Sequence, residues 1–502
     1  MKREILSVVL ISLLAPTVLK AEPPAARHRA FLVVTFDVED YISPESEHID
    51  DIPKWLAQIM TEEGVTGTFF VIGEKACSLE KRGRRDVIAA MAKHDIGSHT
   101  NFGSIHPTVT EELEKAGWAD GVKKMTEQES AGVRELGRIF GVPVRTLARH
   151  GGSYGPQLVT ALGQMKMAYQ GSPARLPGHD VVWFCNALNF SAQYAGFDDF
   201  YYRDDLFEPV FEKLKADLPK LAQTSDVLAL FAGHPTKIRA EEFWDLNFYY
   251  GKNTPPTEWV MPRLRPAETM APAQKNFRRM MHWLKGRDDI EITNYRTLMP
   301  LYSRQNDKMT RDDLRAIAAE TLRTGILAPR AGFSPAEAFA GLADAISGSG
   351  GLAKMFDAPE KAALADSYDV RHPLGPLEMP LEHPEIARVS LKDVRALALE
   401  AGEFIRRTGS LPSFLNVGKT RIGTGSLFAL FCVVYLDAGS GKLRPEYDVS
   451  AFESYPRTNE ADIIGQVEGY KTWPVHRRDL DMSKIVEFTK LQLWTLKPAT
   501  RR

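Results

Sequence analysis

The run Phe31-Leu32-Val33-Val34-Thr35-Phe36 is strongly β-forming and ends abruptly in Asp37-Val38-Glu39-Asp40, which puts three carboxylates within four positions. Carboxylates at the carboxyl end of a strand lie where α/β folds gather their chemistry. Strand alternation places Asp37 and Glu39 on one face and Val38 on the other. Some sixty residues on, His99 and His106 lie in Ser-His-Thr-Asn-Phe-Gly-Ser-Ile-His-Pro and supply imidazoles able to join those acids around a divalent cation. Carboxylate with imidazole is a usual ligand set for catalytic zinc.

From about Ala30 to Pro300 short β-rich runs alternate with helical patterns, as expected of parallel strands linked by crossover helices in a barrel or wound sheet. The strands expected are Phe31–Phe36, Gly67–Ile72, Val227–Phe231 and Ile290–Thr293. Ile52–Glu63, Arg85–Lys93 and Lys115–Phe140 carry apolar residues at helical spacing. The polar stretch Asn306–Thr310 precedes a capped helix start at Thr310-Arg311-Asp312-Asp313 and marks a domain boundary. Beyond it, helices are expected over Asp312–Leu322, Pro335–Ser347, Leu391–Arg407 and Ser483–Trp494. Phe414–Val417 and Phe428–Leu436 are apolar runs that fit strand or buried helix equally. No internal repeat is visible. The division read from this is a leader over 1–21, a barrel over 28–304 and a smaller, mainly helical accessory domain over 309–502, with a further split near 389.

With 63 basic and 65 acidic side chains and a net charge of −2, the chain has no basic field of the kind nucleic acid requires. Met1-Lys2-Arg3-Glu4, the apolar run Ile5–Leu19 and Leu19-Lys20-Ala21 read as a secretory signal, and no later stretch is apolar enough to span a bilayer. The expected location is therefore periplasmic or extracellular. Three widely separated cysteines, Cys77, Cys185 and Cys432, allow at most one internal disulfide and fit buried free thiols. The assembly state is left open.

Four segments taken in order, TFDVED at 35–40, GTFFVIG at 67–73, HDIGSHTNFGSIHP at 94–107 and LALFAGHPTK at 228–237, resemble the polysaccharide deacetylases of the NodB-homology group, carbohydrate esterase family four. The resemblance covers roughly the first 300 residues and implies a distorted (β/α) barrel, one divalent ion, expected to be Zn2+, and a glycan substrate. It implies Asp37 as general base, His234 as general acid, and Glu39, His99 and His106 as metal ligands, with Asp40 the alternate to Glu39. Arg149, in the position of a groove motif, is expected to hold Asp37 charged through a bidentate pair. Tyr154, Asp180, Trp183 and Trp244 are expected to line the substrate groove.

The chain departs from that family at three positions: Val38 follows the base directly, Gly103 stands four residues after His99 where a second histidine is usual, and Gly151 replaces a proline. On a straight helix His99 and His106 would be about 10 Å apart along the axis. Only an irregular segment at Gly103 brings them together. Ser390–Phe428 is weakly similar to pseudomurein-binding repeats of cell-wall proteins. These observations support an exported metal-dependent deacetylase acting on an envelope or extracellular polysaccharide. The alternatives are a catalytically silent carbohydrate-binding protein on the same fold, and an amidase acting on a non-sugar C–N bond.

Overall fold

A computed structural model describes residues 29–194, 196–303, 307–348 and 364–501, so the leader expected over 1–21 lies outside the described residues. Ten strands, β1 (Ala30–Val38), β2 (Thr68–Val71), β3 (Asp95–Ser98), β4 (Thr146–Ala148), β5 (Ala168–Gln170), β6 (Val181–Phe184), β7 (Ala187–Phe190), β8 (Gln193–Tyr194), β9 (Val227–Phe231) and β10 (Ile290–Thr293), build one curved sheet. Its order is β6-β7-β5-β4-β3-β2-β1-β9-β8, with β10 also on β1, and all pairings except β6 with β7 are parallel. The result is a distorted (β/α) barrel that leaves its sheet open. The distortion centres on β1, one edge of which is shared: Thr35–Val38 pair with β2 and Ala30–Val33 with β10.

Two-residue alternation sorts the side chains of β1. Leu32, Val34, Phe36 and Val38 enter the large core beneath the surrounding helices, while Phe31 and Val33 join a second cluster with Phe70, Ala148 and Tyr295. Continuing the second series outward gives Thr35, Asp37 and Glu39. The acids therefore stand on the inner face, at the strand's carboxyl end.

The remainder of the chain is mainly helical and contains a duplication that residue identity conceals. Strand Lys308–Thr310 pairs antiparallel with Ser367–Asp369, and Arg388–Ser390 pairs in the same register with Glu446–Asp448. Met309 faces Tyr368 in one pair and Val389 faces Tyr447 in the other, all four buried. In each copy the first strand ends in a hydroxyl that caps a helix: Thr310 accepts from Asp313 N and Ser390 from Asp393 N. Gly325 and Gly409 end those helices in the left-handed region, at φ 68° and 72°. Helix Arg311–Thr324 of the first copy packs on Thr424–Gly439 of the second, and Pro335–Ser347 of the first packs on Leu391–Thr408 of the second. Each copy thus covers the apolar face of the other. Of the two ambiguous apolar runs, Phe414–Val417 is a strand and Phe428–Leu436 lies inside a helix.

This part is knitted into the barrel. Lys497–Pro498 adds an antiparallel strand to β6, and Lys497 Nζ, with its side chain 2% exposed, pairs with Glu337 at 2.8 and 2.9 Å. Helix Ser483–Gln492 packs on helix Pro156–Gln164 of the barrel. Among the described residues no helix is long and apolar enough to cross a membrane.

One buried acid makes the fold pH-sensitive. Glu129, on helix Trp118–Phe140, accepts only a 3.4 Å bond from Asn101 N, and burial pushes its pKa up to about 7. Because the folded value is raised, this group's contribution is fully present below the ordinary carboxylate pKa and is lost as pH rises through about 7. Glu129→Gln is expected to remove that loss and raise stability at pH 8 by on the order of 3 kcal/mol, with little effect at pH 5. Urea unfolding midpoints at the two pH values test this, and equal midpoints for wild type and variant at pH 8 would contradict it.

Candidate active site

The site is assembled where four parallel strands end. Asp37 and Glu39 come from β1, His99 directly follows β3, His150 lies two residues beyond β4, and His234 three beyond β9. Each chain then turns outward into a crossover, so the side chains converge on one point at the carboxyl end of the sheet. His99 Nε2 is 2.9 Å from Glu39 Oε1 and 3.5 Å from Asp37 Oδ2. His150 Nδ1 approaches the same Glu39 Oε1 at 3.2 Å without hydrogen-bond geometry, and its Nε2 is 3.0 Å from Ser104 Oγ. His234 Nε2 lies 3.6 Å from Glu39 Oε1 and 3.9 Å from Asp37 Oδ2. Within the groups Glu39/His99/His150 and Asp37/Glu39/His234 the candidate ligand atoms lie within 4.8 Å of one another.

Outer partners orient this cluster. Trp244 Nε1 donates to Glu39 Oε2 at 2.9 Å, which leaves Oε1 for the histidines. Asp198 accepts from His234 twice, from Nδ1 and from the backbone N–H, both at 2.7 Å. The His234 ring is bracketed edgewise by Phe231 and Phe243, with centroids 5.1 and 5.0 Å away. Such second contacts fix ring orientation and tautomer.

The electrostatics divide the acids. Burial raises the Asp37 pKa, helped by Glu39 and Asp198 and opposed by His99 and His234. Burial acts on Glu39 in the same sense but is outweighed by the imidazoles around it, His150 and His234 by their closeness and His99 by its hydrogen bond, which hold its carboxyl well below the usual range. Burial lowers the His150 pKa against the pull of Glu39, keeping the imidazole neutral, as a metal ligand must be. For His234 burial opposes the charge, yet Asp198 and Glu39, with Asp37, push its pKa up to about 10. Asp245, beside Trp244, is pushed up to about 7 by burial and by the nearby Glu39 charge.

The structure brings together Asp37, Glu39, His99 and His234, and it corrects the other expected positions. His106 is not at the cluster. Its Nδ1 is 2.6 Å from Glu111 Oε2, its Nε2 is 2.8 Å from the Phe248 carbonyl, and its backbone exchanges two 2.8 Å bonds with the Asn253 side chain. The segment after His99 is irregular as expected, with Thr100 and Gly103 at φ 67° and 55°, but it carries His106 outward. His150 stands in the expected place of His106.

Asp40 caps the following loop, accepting from Ile42 N, Ser43 N, Ser43 Oγ and Thr236 Oγ1, so it has no lone pair directed at the cluster. Arg149 does not pair with Asp37; its Nε donates to the Gly171 carbonyl at 3.3 Å and its guanidinium lies 4.4 Å over the Tyr470 ring. Tyr154 is 0% exposed and its hydroxyl meets Thr489 Oγ1, so it is core and not groove. Asp180 accepts from Asp226 N and Val227 N at the start of β9, the opposite end of the sheet from the site. Trp183 sits on β6 opposite Lys497 and packs on the inner apolar cluster. Trp244 is also wholly buried and acts on Glu39 rather than on a sugar ring.

Sequence reasoning missed His150, Ser104, Asp198 and Asp245. The signal for His150 was present as a histidine just after a three-residue β segment, Thr146–Ala148, inside a stretch read for its arginine. The residues present fit a divalent ion: a carboxylate and two imidazoles, buried, converge on one point, and His150 Nδ1 faces it without a hydrogen-bond partner.

No family model matches the chain, and no curated protein matches it. Solved structures do resemble it. A protein described as a polysaccharide deacetylase from Mycobacterium smegmatis aligns at 15% identity and TM-score 0.35 over 56% of this chain and 92% of its own. One from Pseudomonas aeruginosa aligns at 10% identity and TM-score 0.36 over 55% and 91%, and a CE4 family pseudoenzyme from Bacillus anthracis at 12% and 0.30 over 57% and 72%. At this distance the site is read from its own geometry.

Proposed function

We propose that the protein is an exported, metal-dependent hydrolase that removes acetyl groups from a polysaccharide. The observation that carries the reading is the convergence of Asp37, Glu39, His99, His150 and His234 at the carboxyl ends of four strands. The ordered motifs around Asp37, His99 and His234 supply the substrate class, and the leader over 1–21 the export.

Glu39, His99 and His150 would hold the ion, which when bound polarises the scissile carbonyl and makes water acidic enough to attack. Asp37, with its side chain 18% exposed against 5% for Glu39, is the acid that an attacking water can reach, and it takes the proton. His234 is protonated at neutral pH because Asp198 and Glu39 outweigh burial, so Nε2–H can donate to the departing nitrogen or oxygen. Trp244 keeps Glu39 from rotating into the base position.

The test is acetate release by zinc-reconstituted protein from acetylated chitin oligosaccharides, acetylated xylan and peptidoglycan, with and without a chelator. Release from one of these, abolished by chelation and restored by zinc, is expected. Of the five clustered side chains only Asp37 and His234 are appreciably open, at 18% and 17%, and this limited exposure favours a second reading, hydrolysis of a small non-sugar amide. Cleavage of linear or cyclic amides with every acetylated glycan untouched would establish that reading instead.

A further inference from the structure

The strap Tyr470–Arg478 belongs to the helical part of the chain but lies against the barrel's site. Tyr250 N and Gly251 N donate to the Pro474 and Val475 carbonyls at 2.8 and 3.1 Å. Arg477 N donates to Glu111 Oε1 at 2.8 Å, Arg477 Nη2 to Glu114 Oε2 at 2.5 Å, and Asp481 N to Glu114 Oε1 at 2.8 Å. Because Glu111 also holds His106, the displaced histidine is a joint between the barrel loop and this strap. The contact continues to the site: the Trp473 indole stands edge-on to the His150 ring, with centroids 5.1 Å apart at 81°.

The sequence after His150 is cut to receive it. A Cβ on Gly151, which sits at φ +49°, would lie 2.1 Å from Trp473 Cε2, and one on Gly152 would lie 2.4 Å from the Tyr470 carbonyl. No side chain fits at either position while the strap is in place. Gly151 is thus required both by its positive φ and by Trp473, which occupies the space a side chain would take. The same approach takes Arg149 onto the Tyr470 ring.

We propose that this strap is the outer wall of the active site and that Trp473 is a positioning residue for His150, holding Nδ1 toward Glu39 while Ser104 holds Nε2. The inference rests on the metal reading of Glu39, His99 and His150. His99 also meets the ring edge-on, with centroids 4.7 Å apart at 82°, but it is itself one of the proposed ligands; Trp473 is the contact that comes from the strap, and removing the indole frees the ring to tilt away on that side. The helical part is on this account a component of the catalytic centre rather than an appendage for binding cell wall.

The experiment uses the full chain and two probes, Zn2+ affinity by competition with a chromophoric chelator and the visible absorption of the Co2+ form. Trp473→Ala is expected to weaken zinc by about 10–100-fold and to alter the Co2+ bands, as loss of an outer-shell contact does. Trp473→Phe should restore most of both. Arg477→Ala, a half-buried site remote from the ligands, should shift both in the same direction by less, and it keeps the proposal testable if Trp473→Ala fails to fold. Wild-type affinity and an unchanged spectrum in Trp473→Ala, or in Arg477→Ala if only that variant folds, would overturn the positioning role while His150→Ala still loses the metal. A wild-type chain that binds no zinc, or a His150→Ala variant that binds it normally, would instead overturn the metal reading and this inference with it.

Discussion

Replacing His150 by alanine is expected to abolish stable zinc binding, whereas the same change at His106 should leave it intact. The first removes one of three buried donors that meet near Glu39 Oε1, and two donors cannot hold an ion that ordinarily takes at least three protein ligands. The loss should exceed the ~10–100-fold seen when only an outer partner is removed. His106, in contrast, satisfies Glu111 and the Phe248 carbonyl, so His106→Ala should cost about 1–3 kcal/mol of stability with metal retained. Burial disfavours the charged His106 ring, yet Glu111 and the Phe248 carbonyl raise its pKa above the ordinary imidazole value. A raised folded pKa means the stabilisation is complete below the unfolded value and fades as pH climbs through the folded one. The His106→Ala penalty should therefore be larger at pH 6 than at pH 9. Elemental analysis and denaturation at the two pH values check both halves, and loss of metal in His106→Ala with retention in His150→Ala would reverse the assignment.

The second large effect is expected at Asp37. Asp37→Asn keeps the shape of the side chain and leaves Glu39, His99 and His150 in place, so zinc content should be unchanged. What it removes is the more open of the two acids of the cluster, the one placed to take a proton, and kcat should fall by about 10²–10⁴-fold with a much smaller change in KM. The same variant deprives His234 of one of the charges that keep it protonated, though Asp198 and Glu39 remain. Steady-state kinetics on whichever acetylated glycan proves active, beside metal analysis, decide the point. A variant within threefold of wild type would remove Asp37 from the role of base.

Most of the barrel was legible because its signals are local. The strands Phe31–Phe36 and Val227–Phe231 and the long helix ending at Phe140 are written in residue type and period, and all three are present. The capped helix start at Thr310 is likewise local and forms with both reciprocal bonds in place. The duplication in the helical part was not legible. It resides in strand register and in helices exchanged between the copies, and its trace in the residues is short: Tyr368 and Tyr447 in Ser-Tyr-Asp and Glu-Tyr-Asp, the capping hydroxyls of Thr310 and Ser390, and the closing glycines Gly325 and Gly409.

The sequence by itself determined that Asp37 and Glu39 share a face and that Val38 opposes them, because a strand alternates whatever surrounds it. It also placed His234 just after the apolar strand Val227–Phe231, whereas the short strands before His99 and His150, Asp95–Ser98 and Thr146–Ala148, were not among those expected. Which imidazole completes the cluster was decided only by the tertiary structure. His106 and His150 both lie in loops at the same end of the sheet, and the difference is made by partners far away in sequence: Glu111 and Phe248 draw the first outward, while Ser104 and Trp473 seat the second against Glu39. Arg149, Tyr154, Asp180, Trp183 and Trp244 were misplaced for the same reason. Residue type gives a side chain its chemistry, but contacts between distant segments decide whether it faces the site, the core or the opposite end of the sheet.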